Sequence, residues 1–313
     1  MPIAIQDNPV IITISAEERA RGVASQATIL KAIVAIAEDG LVVLDNAIDL
    51  SHIDALNRRM VKEAEDLINR PTTHFNSPGN LSQVPPICAD LMFEDVFANP
   101  FAAAIIEGML GPHPEVRYLH GNTAMRGEER QDVHADLAWR HWHWPFGLVV
   151  NIMLIEADKT NGSTEVWLGT HRDTTLADHI APDAGVIKPE LLAKRRSVRP
   201  PIQPRIPKGG MIIRDLRLWH AGMPNGTDIP RCMMAMVHTP AWLGNKLLLT
   251  LPESVQPIIE SWKGPVRYCA EYIDDKNFDH LALEFKYDMR GGLPKNERDK
   301  WEAKWIGEWG HKF

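Results

Sequence analysis

The sequence predicts a mainly β protein with flanking helices, an α+β chain whose core is a sandwich or jelly roll. Segments rich in strand formers crowd residues 116 to 240: Val116–Leu119, His134–Trp139, Leu148–Ile155, Met211–Ile213 and Cys232–Val237. Turn residues separate them, at Gly121-Asn122, Arg126-Gly127, Asn161-Gly162, Lys208-Gly209-Gly210 and Pro224-Asn225-Gly226. Many short strands with frequent Gly and Pro turns mark such a fold, whereas β-α units would alternate strands with long helices. No G-x-G-x-x-G or G-x-x-x-x-G-K-[ST] motif occurs, so nucleotide-binding folds lose their best sequence support.

The 313 residues read as one domain: a helical amino-terminal part over 1–115, the β core over 116–240 and a carboxy-terminal extension over 241–313. Ser15-Ala16-Glu17-Glu18 is a capping box, and an Ala-rich helical segment follows to about Ala37. Gly40 to Asn46 reads as a buried strand ending in a turn. Ser51-His52-Ile53-Asp54 reads as a second capping box. It would open an amphipathic helix over 52–69, with Ile53, Leu56, Met60 and Leu67 on one face. Residues 71 to 90 look like a loop, and Phe101 to Leu110 is a third short helix. Lys188 to Arg199 carries five positive charges and reads as a solvated loop, or else as a lid over a pocket. Trp301, Trp305 and Trp309 give a carboxy-terminal helix an aromatic stripe, which packs on the chain's own core or forms a homodimer seam.

Composition narrows the function. Lys plus Arg is 34 and Asp plus Glu is 41, a net charge of −7, which argues against a nucleic-acid partner. The longest apolar stretch, Phe146 to Ile155, is broken by Asn151 and is about half of what a membrane helix needs. No basic region followed by an apolar run opens the chain, so a cytoplasmic protein with a small-molecule substrate is expected. Cys88, Cys232 and Cys269 form no close pair and read as buried thiols in a reducing compartment.

Four His-x-Asp/Glu pairs occur, at His52/Asp54, His113/Glu115, His134/Asp136 and His171/Asp173. Strand context separates them, because residues i and i+2 share a face in a strand and diverge in a helix. His52 begins a helix, His113 sits in a Pro-flanked turn and His171 lies in a polar stretch. Only His134-Ala135-Asp136 runs into a strand-like segment, so both side chains can enter one cavity. Iron(II) that must also bind oxygen and a co-substrate wants two imidazoles and one carboxylate on one face. His220 is the candidate third ligand, after the apolar strand that starts at Met211 and beside the small residues Ala221 and Gly222. Arg231 opens the apolar strand 232–237. A guanidinium there is costly unless it meets an anion, and a dicarboxylate co-substrate would supply one. A structural ion pair with Asp215 or Asp228 is the alternative.

In order and spacing, these elements resemble the phytanoyl-CoA dioxygenase family, a branch of the Fe(II)/2-oxoglutarate oxygenases. The resemblance is carried by His134-x-Asp136, Asn161-Gly162-Ser163-Thr164-Glu165-Val166-Trp167-Leu168-Gly169-Thr170-His171, Arg217 to Asn225 and Arg231. Asp39 to Asn46 is similar to the strand that opens this family. The chain departs from it where Pro-Gly-Ser-His is usual and Leu168-Gly169-Thr170-His171 stands instead. The resemblance implies a double-stranded β-helix, that is, a cupin-like jelly-roll core. It implies His134, Asp136 and His220 as iron ligands, and Arg231 on the distal carboxylate of 2-oxoglutarate. Gln131 resembles a co-substrate contact in the fungal-type members that oxidise natural products, with Thr164 and Asn122 as weaker candidates for the same shell. The implied reaction couples decarboxylation of 2-oxoglutarate by O2 to oxidation of a C–H bond, with release of succinate and CO2. Hydroxylation, desaturation, epoxidation or rearrangement could each follow.

Trp139 and Trp142, in the run Trp139-Arg140-His141-Trp142-His143-Trp144, offer flat apolar walls to a polycyclic natural product, or else are core or dimer contacts. His141-x-His143 keeps open a cupin-type metalloenzyme that does not use 2-oxoglutarate. A non-catalytic small-molecule-binding barrel is the remaining reading.

Overall fold

A computed structural model describes residues 8–137, 144–181 and 184–283. In chain order the strands are β1 (Ile11–Thr13), β2 (Leu41–Asp45), β3 (Phe75–Ser77), β4 (Asn80–Ser82), β5 (Glu115–Ala124), β6 (Leu148–Met153), β7 (Glu165–Val166), β8 (Met211–Asp215), β9 (His220–Ala221), β10 (Arg231–Thr239), β11 (Leu249–Pro252), β12 (Arg267–Tyr268) and β13 (Ala270–Ile273). The α-helices are α1 (Ala16–Arg21), α2 (Gln26–Asp39), α3 (Leu50–Leu67), α4 (Glu94–Phe97), α5 (Pro100–Leu110), α6 (Pro189–Val198) and α7 (Gln256–Ser261).

The main sheet has nine strands and runs β1-β2-β8-β6-β10-β5-β4-β3, with β12 also on β5. Its β1–β2 and β12–β5 pairs are parallel and the rest antiparallel. The sheet reaches beyond residues 116–240 at both ends of the chain, drawing in β1, β2 and the β3–β4 hairpin from one side and β12 from the other.

Both faces of the central strands are covered, so they read as unbroken apolar runs rather than alternating ones. The outer face, with Val42, Leu44, Val150, Ile152, Ile213, Met234 and Met236, packs on Ile36, Ile53, Leu56, Met60, Ile105 and Ile106 of α2, α3 and α5. The inner face, with Leu41, Val43, Met153, Ile212 and Met233, packs on Val166, Leu168, Ile206 and Leu218. These last residues belong to the short β7–β9 pair and its flanking loops, which form the opposite wall of the jelly roll. Gly121 allows the sheet to close at its centre, since a Cβ there would meet Met233 O at 2.6 Å and Gln83 O at 2.9 Å.

The Ser15/Glu18 capping box is formed, but the helical segment after it is two helices. Gly22, at φ 66°, ends α1 in the left-handed conformation, and Ser25 caps α2 anew. Gly40, at φ 86°, ends α2 and turns the chain into β2. The third helix begins at Leu50 rather than residue 52. Asp49, not Ser51, is its cap and accepts the Ser51 N–H, while Asp54 pairs with Lys208 at 2.9 Å. Ile53, Leu56, Met60 and Leu67 are buried on its inner face, so truncating Leu56 to Ala would cost about 2–5 kcal/mol. Residues 71–90, loop-like in sequence, contain the β3–β4 hairpin on the sheet edge.

The basic stretch 188–199 is a helix, not a solvated loop. Pro189 opens α6, Glu190 lies in its first turn and Arg195 and Arg196 in its last, which suits the helix dipole. Its cations are anchored. Arg195 donates to the Leu168 carbonyl, Arg199 pairs with Asp39 at 2.6 Å and Arg196 lies 5.4 Å from the Trp167 ring centre. No described helix is long and apolar enough to cross a membrane. Trp139, Trp142, His141, His143 and the tryptophans of the carboxy-terminal stripe lie outside the described residues.

Candidate metal centre

His134 and His220 are brought together by the backbone. Each donates its N–H to the other's carbonyl at 2.9 Å, a hydrogen-bonded antiparallel pair formed by one residue from each segment. Asp136 N–H donates to Leu216 O at 3.1 Å, so the next alternate residue stays on the same face. His134 to Trp139 is therefore not the regular strand its composition suggests; within its described part, pairing is limited to the bridges at His134. The two-residue spacing still sets both side chains into one cavity. Ligand atoms of His134, Asp136 and His220 all lie within 4.8 Å of one another. His220 Nε2 is 3.5 Å and His134 Nε2 3.8 Å from Asp136 Oδ1.

The surrounding contacts aim these atoms. Nδ1 of His134 faces Asp132 O at 2.8 Å, and Nδ1 of His220 faces Leu218 O at 3.0 Å. Donation to those carbonyls puts the proton on Nδ1 in both rings and leaves each Nε2 lone pair pointing at the gap, the arrangement a metal-binding imidazole needs. Burial first, and then the nearby Arg214 guanidinium, push His220 well below the usual histidine range, so it is a neutral donor. Burial would raise the Asp136 carboxyl. The Arg214 guanidinium, by its charge and its hydrogen bond, leads what outweighs burial and holds it below the usual carboxylate range. Arg214 Nη2 donates to Asp136 Oδ2 at 2.6 Å, leaving Oδ1 for the gap, and its Nη1 lies 3.3 Å from His220 Nδ1. Sequence reasoning missed Arg214. The available signal was a charged residue inside the apolar strand Met211-Ile212-Ile213-Arg214, which demands an anion nearby.

Arg231 is buried, and burial pulls its guanidinium down to about 10. Its Nε donates to Asn161 O at 3.3 Å, and its Nη1 has no partner among the described residues. Both carboxylates that could have paired with it are taken. Asp215 forms a two-pronged pair with Arg217 at 2.8 and 2.6 Å, and Asp228 pairs with Arg126 at 2.6 Å. The alternative of a structural ion pair is thus closed among those residues, and a buried cation is left facing a cavity.

That cavity measures about 250 Å³ and is lined by the triad, Arg214, Arg231, Gln131, Asn122 and Thr164 together with apolar residues of the inner sheet face. Gln131 Oε1 accepts the Gly222 N–H at 2.8 Å, and its own N–H donates to Gly222 O at 2.9 Å, so it braces the loop after His220. Asn122 Oδ1 accepts from Asn76 Nδ2 at 2.6 Å. An isolated buried guanidinium and an adjoining two-imidazole, one-carboxylate set together suit a divalent metal and an anionic chelate.

Comparison with known proteins shows the family and the fold. The family model for phytanoyl-CoA dioxygenase (PhyH) matches residues 36–233. The fold is shared with the epimerase SnoN, solved in complex with Fe3+, alpha ketoglutarate and nogalamycin RO. That match has a TM-score of 0.52 and 17% identity, and covers 80% of this chain and 98% of that one. It is shared also with EctD from S. alaskensis with bound Fe, at a TM-score of 0.50 and 17% identity, covering 74% of this chain and 82% of that one. The chain belongs to the phytanoyl-CoA dioxygenase family, and by class it is a non-haem Fe(II)/2-oxoglutarate-dependent dioxygenase.

Proposed function

We propose that His134, Asp136 and His220 hold iron(II), that Arg231 takes the distal carboxylate of 2-oxoglutarate, and that the enzyme oxidises an unactivated C–H bond of a small natural product. The observation that carries this reading is the pairing of a three-ligand cluster with a buried guanidinium that has an unpartnered Nη1 in one cavity. Iron(II), when bound, supplies the activation of O2 and the coupled decarboxylation of 2-oxoglutarate to succinate and CO2 that drive C–H oxidation.

The chain's own residues supply placement. His134 and His220 present their Nε2 atoms, and Asp136 presents one oxygen while Arg214 occupies the other. These three donors would hold the ion from one side of the cavity and leave room on the other for a co-substrate and O2. Arg231 fixes the far end of a dicarboxylate by charge and direction, and Gln131 and Thr164 line the same slot. Val149, Ile212, Met233, Ala235 and Val237 form an apolar floor that favours exclusion of water.

A cavity of about 250 Å³ takes 2-oxoglutarate and the reacting end of a substrate, not a large molecule whole. The apolar floor supports an apolar or polycyclic guest. Inversion of a stereocentre joins hydroxylation, desaturation, epoxidation and rearrangement as an outcome, because SnoN, of the same fold, is an epimerase. The test is a screen of candidate natural products for stimulated succinate release with Fe(II) and 2-oxoglutarate. His134→Ala, Asp136→Ala and His220→Ala should each abolish release while the thermal transition persists. Turnover surviving in any of the three variants would remove that residue from the ligand set.

A further inference from the structure

The chain crosses from the main sheet to the opposite wall in one turn, between β8, which ends at Asp215, and β9, which starts at His220. Leu218 N–H donates to Asp215 O at 3.1 Å and closes that turn. Two of its carbonyls meet the ligand cluster. Leu216 O accepts the Asp136 N–H at 3.1 Å, and Leu218 O accepts from His220 Nδ1 at 3.0 Å. Leu216 and Leu218 bury their side chains in two different apolar clusters. Between them, Arg217 folds back onto Asp215. Its Nε and its backbone N–H donate to Asp215 Oδ1 at 2.8 and 2.9 Å, and its Nη2 donates to Oδ2 at 2.6 Å. The two side chains are 3% and 1% exposed. Asp215 is itself fixed in place, since it pairs with Leu148 of β6 and donates its N–H to Gly40 O at 2.9 Å.

Stability does not account for this buried pair. Taking two charges out of water costs about what their attraction returns, and apolar residues of similar volume commonly serve as well or better. What a two-pronged contact between guanidinium and carboxylate adds is direction. Here it ties residue 217 to residue 215 through side chain and backbone at once, and so sets where the carbonyls of Leu216 and Leu218 point. Asp136 hangs on the first carbonyl by its backbone, and His220 hangs on the second by its ring. A tilt of the turn would rotate the His220 ring and carry Asp136 away from it. We infer that Asp215 and Arg217 are positioning residues of the metal centre, a buried clamp that fixes the turn 216–219 and through it the mutual placement of Asp136 and His220. The inference rests on the proposed function and assigns the clamp to metal binding rather than to folding.

The test is a titration of Co(II), as the probe ion, into the full chain. It is read by the visible d–d bands, which report ligand geometry, and run beside thermal melts of the metal-free protein. Asp215→Val combined with Arg217→Met removes both charges and leaves apolar side chains of similar volume. Its melt should stay close to that of wild type. Its Co(II) affinity should fall about tenfold or more, and the bands should shift, because the ligands are no longer held in one arrangement. Arg217→Lys keeps the charge and loses the second prong, so its affinity should lie between the two. Wild-type affinity or unshifted bands in the folded double variant would overturn the inference, whatever its melt, and leave the pair a structural one. Should the double variant not fold, wild-type affinity and bands in Arg217→Lys overturn it equally. A wild-type chain that takes up no Co(II) would overturn the proposed function together with it.

Discussion

Replacing Arg231 by Met should have two effects of opposite sign. Burial pulls the guanidinium down from its ordinary value to about 10, so holding that charge costs about 3 kcal/mol at about 1.36 kcal/mol per pH decade. Among the described residues its side chain is held by one hydrogen bond, from Nε to Asn161 O at 3.3 Å. Removing the charge while keeping an unbranched chain of similar length recovers about 3 kcal/mol. It gives back about 1 kcal/mol for that hydrogen bond and some packing. The metal-free Arg231→Met protein should therefore be more stable by about 2 kcal/mol, a rise in Tm of about 3 °C. Binding of 2-oxoglutarate moves the other way. Two charge-assisted bonds to a buried carboxylate are worth roughly 3–5 kcal/mol, so the Kd should rise about 150-fold or more. Differential scanning calorimetry of the metal-free protein and anaerobic titration calorimetry of the metal-loaded protein measure the two effects. A variant that melts lower and binds 2-oxoglutarate as wild type would show Arg231 to be a structural cation.

Other expectations follow from the same contacts. Arg214→Lys keeps the charge but cannot span Asp136 Oδ2 and the edge of His220 at once, so Fe(II) affinity by competition titration should fall about 10-fold with little change in Tm. His120 and His238 are buried and held at about 4 against an ordinary 6.5. Between those values the unfolded chain binds more protons than the folded one, so stability rises with pH across that window and is lost on acidification. Each histidine contributes up to about 3 kcal/mol of this slope, and urea midpoints at pH 7 and pH 5 should converge partly in His238→Gln. Gly121→Ala should drive a methyl into Met233 O and Gln83 O and lower Tm by several degrees, and a neutral outcome would mean that β5 and β10 can part at no cost.

The strands and the clustering of the three candidate ligands were legible in the sequence, each for a definite reason. β6, β8 and β10 are apolar runs bounded by turn residues, because the main sheet is covered on both faces. His134 and Asp136 were legible because a two-residue spacing survives even where the strand shrinks to bridges at one residue. Elements decided by long-range contacts were hidden. The β3–β4 hairpin has little strand propensity of its own and exists because Asn80, Leu81 and Ser82 pair with β5. Helix α6 looks like a solvated charge run until Leu168, Asp39 and Trp167 arrive from elsewhere in the chain. Arg214 and Asn151 were visible as polar interruptions of apolar strands, but only the register shows that both face the same cavity.

On the proposed function, the two arginines of the cavity would couple the binding of metal and co-substrate. Asp136 and Arg214 form a neutral pair at 2.6 Å, and the His220 imidazole is neutral, so the ligand cluster offers geometry without net negative charge. Without Arg214, burial would push the Asp136 carboxyl towards protonation, and a proton would compete with the metal. With it, the carboxylate is ionised at the cost of the attraction a bare anion would exert. A divalent ion thus enters a cavity already made positive by Arg231, and a dianion offsets two of the three positive charges. At an effective dielectric of about 20, two unit charges at 4 Å interact by about 4 kcal/mol, so the coupling is large. Coupling between two ligands is reciprocal, so 2-oxoglutarate should raise the affinity for Fe(II) by the factor with which Fe(II) raises that for 2-oxoglutarate. A metal affinity indifferent to saturating 2-oxoglutarate would mean that Arg231 and the triad do not face a common ligand.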